Sequence, residues 1–146
     1  MNVTIVAVDK LRERYLDIGC GMYLKRLLPL LPVRVAEIKA ADPQVEARAI
    51  LRSVGRDAQL WALAADGVQL SSTDLAAKLH SAAQSGRNAL VLVIGGAQGL
   101  HASVLERADF RWSLSSLTLL HEMARLVVLE QLYRAMKIAR NEPYHR

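Results

Sequence analysis

Cysteine occurs once in the 146 residues, at Cys20. One thiol cannot close an internal disulfide, so stability has to come from a packed core, and a reducing compartment, the cytoplasm, is the expected location. No apolar run approaches the roughly 18–20 residues that span a bilayer. The opening MNVTIVAVDK also lacks the basic leader and long apolar core of a secretion signal. Neither export nor a membrane partner is therefore expected. There is no internal repeat, low-complexity tract or linker, and the length suits one domain over 1–146. The four histidines and the cysteine have none of the spacings of a metal site, so no metal is expected.

What is present is globular in composition, with 52% hydrophobic and 23% charged residues. The formal charge is +5, and it is unevenly placed. Residues 1–40 carry seven Lys/Arg against four Asp/Glu, residues 121–146 carry five against three, and residues 41–120 balance at seven each. A basic surplus at both chain ends suits a polyanionic partner such as RNA, although mild basicity is common among soluble proteins with no such partner.

Periodicity predicts strands alternating with helices. The β-branched run from Asn2 to Val8 reads as a buried strand. Leu11 to Leu28 has helical spacing, with Leu11, Tyr15, Ile18 and Met22 in line, Leu16, Cys20, Tyr23, Leu24 and Leu27 alongside, and Pro29 closing it. Val33–Lys39 alternates like a strand. Asp42-Pro43 starts a helix that ends at Gly55, through a cap followed by a fixed φ. Gln59–Ala65 is a third strand with a turn expected at Asp66-Gly67, and Ser72 is expected to cap a helix over Thr73–Ser85. Ala89–Ile94 is wholly apolar, as a strand covered on both faces should be. A short helix over Ser103–Ala108, the segment Arg111–Leu120 and a last helix over Glu122–Arg140 complete the chain. The expected fold is α/β, a mostly parallel sheet flanked by helices.

Two glycine loops compete for attention. Leu16-Asp17-Ile18-Gly19-Cys20-Gly21 resembles the donor loop of the large Rossmann-type methyltransferases. That loop must follow a strand, yet KLRERYL is charged at helical intervals and poor in β-branched residues, and a third glycine is missing. Gly19 and Gly21 are expected inside a helix, each costing up to about 1 kcal/mol relative to Ala. Gly95-Gly96-x-x-Gly99 has the right context. It leaves a buried strand at the carboxyl edge, where α/β sheets bind ligands. Downstream, Trp112-SLSSLTLLHEMAR-Leu126 mixes small hydroxyl residues with leucines, which suits a loop whose backbone meets a polar ligand edge while leucines cover its apolar face. The last helix is apolar around most of its circumference, more than a small domain needs, and a second subunit is expected against it.

LVIGGAQGL, the SLSSLTLLHEMAR block, LEQLYRA and the ending NEPYHR, in this order and at the chain terminus, resemble the RlmH family. These are bacterial large-subunit ribosomal RNA methyltransferases of the SPOUT class that act on N3 of a pseudouridine. The resemblance spans nearly the whole chain and is strongest from Leu90 onward. It implies a deep trefoil knot in the C-terminal half, S-adenosyl-L-methionine as methyl donor, and a homodimer with the active site between subunits. It also implies helix 69 of the ribosomal RNA, in assembled ribosomes, as the substrate. Carried over by position, the donor-binding residues are Leu63, Gly95, Leu114, Ser115, Ser116, Leu117, Thr118 and Leu119.

Arg125, Tyr144 and His145, with Arg146, are the candidates that would position and convert the substrate. Arg125 offers a fork of donors, Tyr144 a stacking face and His145 a ring that titrates near neutrality. His121 reads as a helix-start residue, and His80 and His101 as surface residues. Two positions depart from relatives: Ala64-Ala65 where an acid can follow the leucine, and Glu122 after His121, which adds a negative charge near the expected phosphate path. Lys10, Arg12, Arg14, Lys25, Arg26, Arg134, Lys137 and Arg140 are the expected phosphate contacts. Whether a side chain takes the N3 proton, or the imide is already deprotonated, stays open at this level.

Overall fold

Ten elements follow one another in strict alternation in the computed structural model, which describes residues 1–145; Arg146 lies outside the described residues. They are β1 (Asn2–Val8), α1 (Arg14–Leu27), β2 (Val33–Ile38), α2 (Pro43–Ser53), β3 (Gln59–Gln69), α3 (Ser72–Gln84), β4 (Ala89–Ile94), α4 (Ala102–Arg107), β5 (Phe110–Ser113) and α5 (His121–Ala139). The five strands form one sheet in the order β2-β1-β4-β3-β5, and every neighbouring pair is parallel. The expected α/β sandwich is therefore what forms.

Alternation along the central strands divides the core in two. Val3, Ile5 and Ala7 of β1 and Leu90, Leu92 and Ile94 of β4 face α1, α3 and α5. Val6 and Val8 of β1 and Val91 and Val93 of β4 face α2 and α4. Successive side chains point to opposite faces of a strand, so only a strand apolar throughout can be covered twice. That is why the run Ala89–Ile94 is central.

Several boundaries move for identifiable reasons. The first helix begins at Arg14 rather than Leu11, because the backbone turns at Asp9, which has φ of 71°, and runs extended to Glu13. Its buried row is Leu16, Cys20 and Leu27, while Tyr15, Ile18 and Met22 face solvent. Ser71, not Ser72, caps α3, accepting the Asp74 N–H at 3.1 Å; Ser72 instead donates to Gln131 of α5 at 2.6 Å. His101 is half-buried rather than at the surface, and its Nδ1 accepts the Ser103 N–H at 3.1 Å to cap α4. The turn expected at Asp66-Gly67 does not form. The strand β3 continues to Gln69, and Trp112 of β5 lies opposite both Leu63 and Val68, so residues 64–67 bulge out of the ladder. A Cβ on Gly67 would come within 2.6 Å of the Arg111 carbonyl oxygen, and only glycine lets the bulged strand press so close.

The last helix packs within the protomer against the sheet, α1 on one side and α3 on the other; no residue from His121 to Ile138 is exposed, and Met123, Leu126, Val127, Tyr133, Met136 and Ile138 are half-buried. A row of exposed apolar residues lies on α1. No helix of the described residues is long and apolar enough to cross a membrane.

Glu122 turns inward, away from solvent. Its Oε1 accepts the N–H of Glu13 at 3.1 Å and of Arg12 at 2.6 Å, capping α1 from another helix where Glu13 supplies no side-chain cap of its own. The extra negative charge is thus spent on a helix terminus and not on the phosphate path. The Glu13 N–H, with that of Arg12, holds the Glu122 carboxyl below its ordinary value of 4.5. Its contribution to stability is complete above that value and is lost as pH falls through the lower folded one. Glu122→Gln should cost about 1 kcal/mol at neutral pH and flatten the stability profile between roughly pH 3 and 5. Urea denaturation across that range measures both, and parallel profiles for the two proteins would refute the cap.

Gly19 and Gly21 lie inside α1, as expected from the missing strand before them. A Cβ on Gly19 would meet Leu126 Cδ1 of α5 at 3.1 Å, which explains that glycine by close helix packing. A Cβ on Gly21 would meet nothing within 4 Å. Gly21→Ala should therefore raise stability by up to about 1 kcal/mol, and neither alanine variant should alter binding of a methyl donor. Thermal unfolding and calorimetric titration check the two halves of that statement.

Candidate active site

A cleft of about 230 Å³ opens where β3 and β5 end. One wall is the bulge, Leu63 to Ala65; the other is the loop Leu114–Leu119 that leads from β5 to α5, with Ala124 at the back. Seven of the eight donor-binding candidates line it: Leu63, Leu114, Ser115, Ser116, Leu117, Thr118 and Leu119. Gly95 does not. It is buried, and a Cβ there would lie 2.9 Å from the Gly99 carbonyl carbon, so this glycine lets the loop after β4 fold back on itself. Ala64 and Ala65 form part of the cleft wall.

The loop is shaped by its own hydroxyls. Ser113 donates to the Ser115 carbonyl at 3.1 Å, and Ser115 Oγ accepts the Leu117 N–H at 3.0 Å. Outside the strands, no backbone–backbone hydrogen bond among the described residues ties residues 114–119. Peptide groups at the mouth of a cleft are thereby left for solvent or a ligand. Leu117 is 74% exposed, an unusual setting for a leucine and one that suits a surface covered by something else.

The substrate candidates lie elsewhere. Arg125 follows Ala124 on α5 but points away from the cleft. Its NH1 donates to Glu37 Oε2 at 2.6 Å and its NH2 to the Asp9 carbonyl at 2.8 Å, leaving the side chain 4% exposed. It borders a second cavity of about 280 Å³ between α1, β2 and α5, together with Asp17, Cys20, Gly21 and Glu37. Burial pushes the Cys20 thiol up to about 11, so it is protonated at neutral pH.

Tyr144 and His145 fold back against the middle of α5 and α1. The Tyr144 hydroxyl lies 3.2 Å from that of Tyr23 and donates to Glu130 Oε2 at 3.4 Å, while its ring meets Tyr133 edge-on at 4.8 Å. Burial, reinforced by the hydrogen bond with Tyr23, raises the Tyr144 phenol far above its ordinary value, so it stays protonated at neutral pH. Arg134 is the hinge of this cluster. Glu130 accepts from its Nε at 3.1 Å and its NH2 at 3.2 Å, its guanidinium carbon sits 4.7 Å from the Tyr144 ring centroid, and its NH1 lies 3.2 Å from His145 Nδ1.

Sequence reasoning named Arg134 only as a phosphate contact and missed Glu130 and Tyr23. Glu130 and Arg134 were readable as an i, i+4 pair; nothing in the sequence signalled Tyr23. Of the expected phosphate contacts, Arg12, Arg134, Lys137 and Arg140 are held in ion pairs with Asp9, Glu130 and Glu142. Lys10, Arg14, Lys25 and Arg26 are exposed with no ion-pair partner among the described residues. Arg48 and Arg52, overlooked because the middle of the chain balances in charge, join them on the outer face of α2.

Known proteins share both chain and fold. A family model described as predicted SPOUT methyltransferase matches residues 1–145. Proteins named ribosomal RNA large subunit methyltransferase H are similar over the full chain. That of Moorella thermoacetica is 43% identical, covering 100% of this chain and 99% of its own, and that of Listeria monocytogenes is 42% identical, covering 100% of both. Among solved structures, a methylase-family protein of Haemophilus influenzae superposes with a TM-score of 0.60 at 14% identity, over 99% of this chain and 70% of its own. A Legionella pneumophila methyltransferase, solved with the cofactor SAM bound, superposes with a TM-score of 0.51 at 10% identity, over 95% of this chain and 66% of its own. With a model match over residues 1–145 and full-length relatives above 40% identity, the chain belongs to the SPOUT methyltransferase family, among the proteins named ribosomal RNA large subunit methyltransferase H.

Proposed function

We propose that this chain is a cytoplasmic homodimer that methylates N3 of a pseudouridine in helix 69 of large-subunit ribosomal RNA. It acts on assembled ribosomes and uses S-adenosyl-L-methionine. The observation that carries the reading is the cleft, where residues 114–119 make no backbone–backbone hydrogen bond outside the strands and, apart from the Ser115 carbonyl and the Leu117 N–H, leave their peptide groups open beside the side chains of Leu63, Leu114 and Leu119. Such a lining fits a nucleoside with one polar edge and one apolar face. The names of the relatives supply the substrate class. The C-terminal trefoil knot belongs to the same reading, supported by the match of residues 1–145 to the SPOUT methyltransferase model.

When bound, the donor supplies an electrophilic sulfonium methyl. The peptide groups and leucines of the cleft hold and orient it, and Gly95 shapes the neighbouring loop from behind. Tyr144 and His145 hold the pseudouridine so that N3 faces the methyl, since much of the rate comes from alignment at near-attack distance. Arg125, with NH1 and NH2 committed, offers substrate only its remaining N–H groups. The base must leave its stack for N3 to be reached.

The layout supports the reading of two subunits. The cleft is at the Ala124 end of α5, and the tail is pinned at Arg134, ten residues and ~15 Å further along the axis. The tail of one protomer is thus held away from its own cleft and is available to a partner's. The exposed Tyr15, Ile18 and Met22 of α1 supply an apolar surface for that partner.

Deleting residues 144–146 should leave donor binding and dimerisation intact and lower methyl transfer at least about a hundredfold. Calorimetry with S-adenosyl-L-methionine, light scattering, and mass mapping of ribosomal RNA from a deletion strain complemented with each form measure the three. Full activity of the truncated chain would remove Tyr144 and His145 from the site. An intact chain that binds no donor at millimolar concentration would instead be a non-enzymatic RNA-binding module.

A further inference from the structure

The two side chains of the tail leave open where the N3 proton goes, and the contacts of His145 narrow the answer. The carboxylate of Glu130 holds the guanidinium of Arg134 through Nε and NH2, which fixes the direction of NH1. NH1 then lies 3.2 Å from Nδ1 of His145. A guanidinium has donors and no acceptor, so in this contact NH1 donates and Nδ1 must be the bare, accepting nitrogen. A neutral imidazole with a bare Nδ1 carries its proton on Nε2. Arg134 is held a second time by the face of the Tyr144 ring, 4.7 Å from its guanidinium carbon, so the Arg134 guanidinium orients both tail side chains together.

We infer that Arg134 is a positioning residue that fixes the tautomer of His145, and that His145 serves the methyl transfer as a hydrogen-bond donor through Nε2–H and not as the base. This rests on the reading that His145 belongs to the methyl-accepting site. The chemistry of the acceptor agrees with a donor there. N3 of a uracil ring lies between two carbonyl groups, and loss of its proton spreads negative charge onto their oxygens. An N–H directed at one of these oxygens stabilises that charge as it develops, in the manner of an oxyanion hole. The proton on N3 passes to water, and the pair it leaves behind forms the new N–C bond as the methyl–sulfur bond of the donor breaks, its pair staying on the sulfur of the departing thioether. Tyr144, kept protonated and donating to Glu130, does not receive the proton either.

Two measurements on the full-length protein test this. In protein labelled with nitrogen-15 at histidine, long-range proton–nitrogen NMR should show His145 with a bare Nδ1 and a protonated Nε2. Arg134→Met should give a mixture of tautomers, and Arg134→Lys, which keeps a donor, should restore the single form. Methyl transfer to ribosomes lacking the modification supplies the second readout. His145→Gln, whose amide N–H can stand near the place of Nε2–H, should stay within about tenfold of the unsubstituted protein. His145→Ala should fall on the order of a hundredfold or more. A proton found on Nδ1, or a glutamine variant as inactive as the alanine one, overturns the inference while leaving His145 in the site. An alanine variant with full activity removes His145 from the site, and the inference falls with the reading beneath it.

Discussion

A mismatch in length between two paired strands organises the cleft end of this molecule. The strand β3 has four residues, 64–67, with no counterpart on β5, and the ladder resumes beyond them at Val68. The excess backbone must leave the sheet, and Gly67 lets it do so while pressed against the Arg111 carbonyl. The bulge becomes one wall of the cleft. The strand β5 stops at Ser113, where the sheet offers it no further partner, and its continuation becomes the opposite wall. Wall, loop and open peptide groups all follow from one irregular pairing at the edge of an otherwise regular parallel sheet.

The helix α5 carries the consequences along the molecule. Packed against the sheet, α1 and α3, it is the most completely enclosed helix among the described residues and the rigid spacer between the cleft and the C-terminal tail. Its first turn backs the cleft, and its middle turns grip the C-terminal tail through Glu130 and Arg134. The two ends of the proposed site are thus separated within a protomer by the length of helix between them. In the proposed homodimer a second copy would resolve that separation without any new element of structure, with the exposed apolar row of α1 as the surface offered to it.

Charge shows how position along the chain and position in space differ. Residues 41–120 balance seven positive charges against seven negative, which suggested a neutral middle. In the fold Glu46 turns inward to accept the Ala41 N–H at 2.9 Å, while Arg48 and Arg52 point outward from the same helix. The opposite happens at the ends. Lys137 and Arg140 share Glu142, and Arg12 faces Asp9, so part of the terminal surplus is neutralised locally. A tally along the chain cannot separate a carboxylate that caps a helix from one that meets water.

The amino-acid sequence by itself determined the alternation of strands and helices, the central place of Ala89–Ile94, the helical setting of Gly19 and Gly21, and the run 114–119 as a loop rather than a strand. These are local matters, written in periodicity, in caps and in the absence of a strand before a glycine motif. Only the tertiary structure decided that Asp66-Gly67 bulges instead of turning, that Glu122 caps a helix 110 positions away, that Gly95 is buried against Gly99 and outside the cleft lining, and that Arg125 is tied to Glu37 and Asp9. Each of these depends on a partner distant in sequence. Propensity and spacing describe a residue's neighbours along the chain, and the partner that takes a carboxylate or a guanidinium is chosen when the sheet and helices pack.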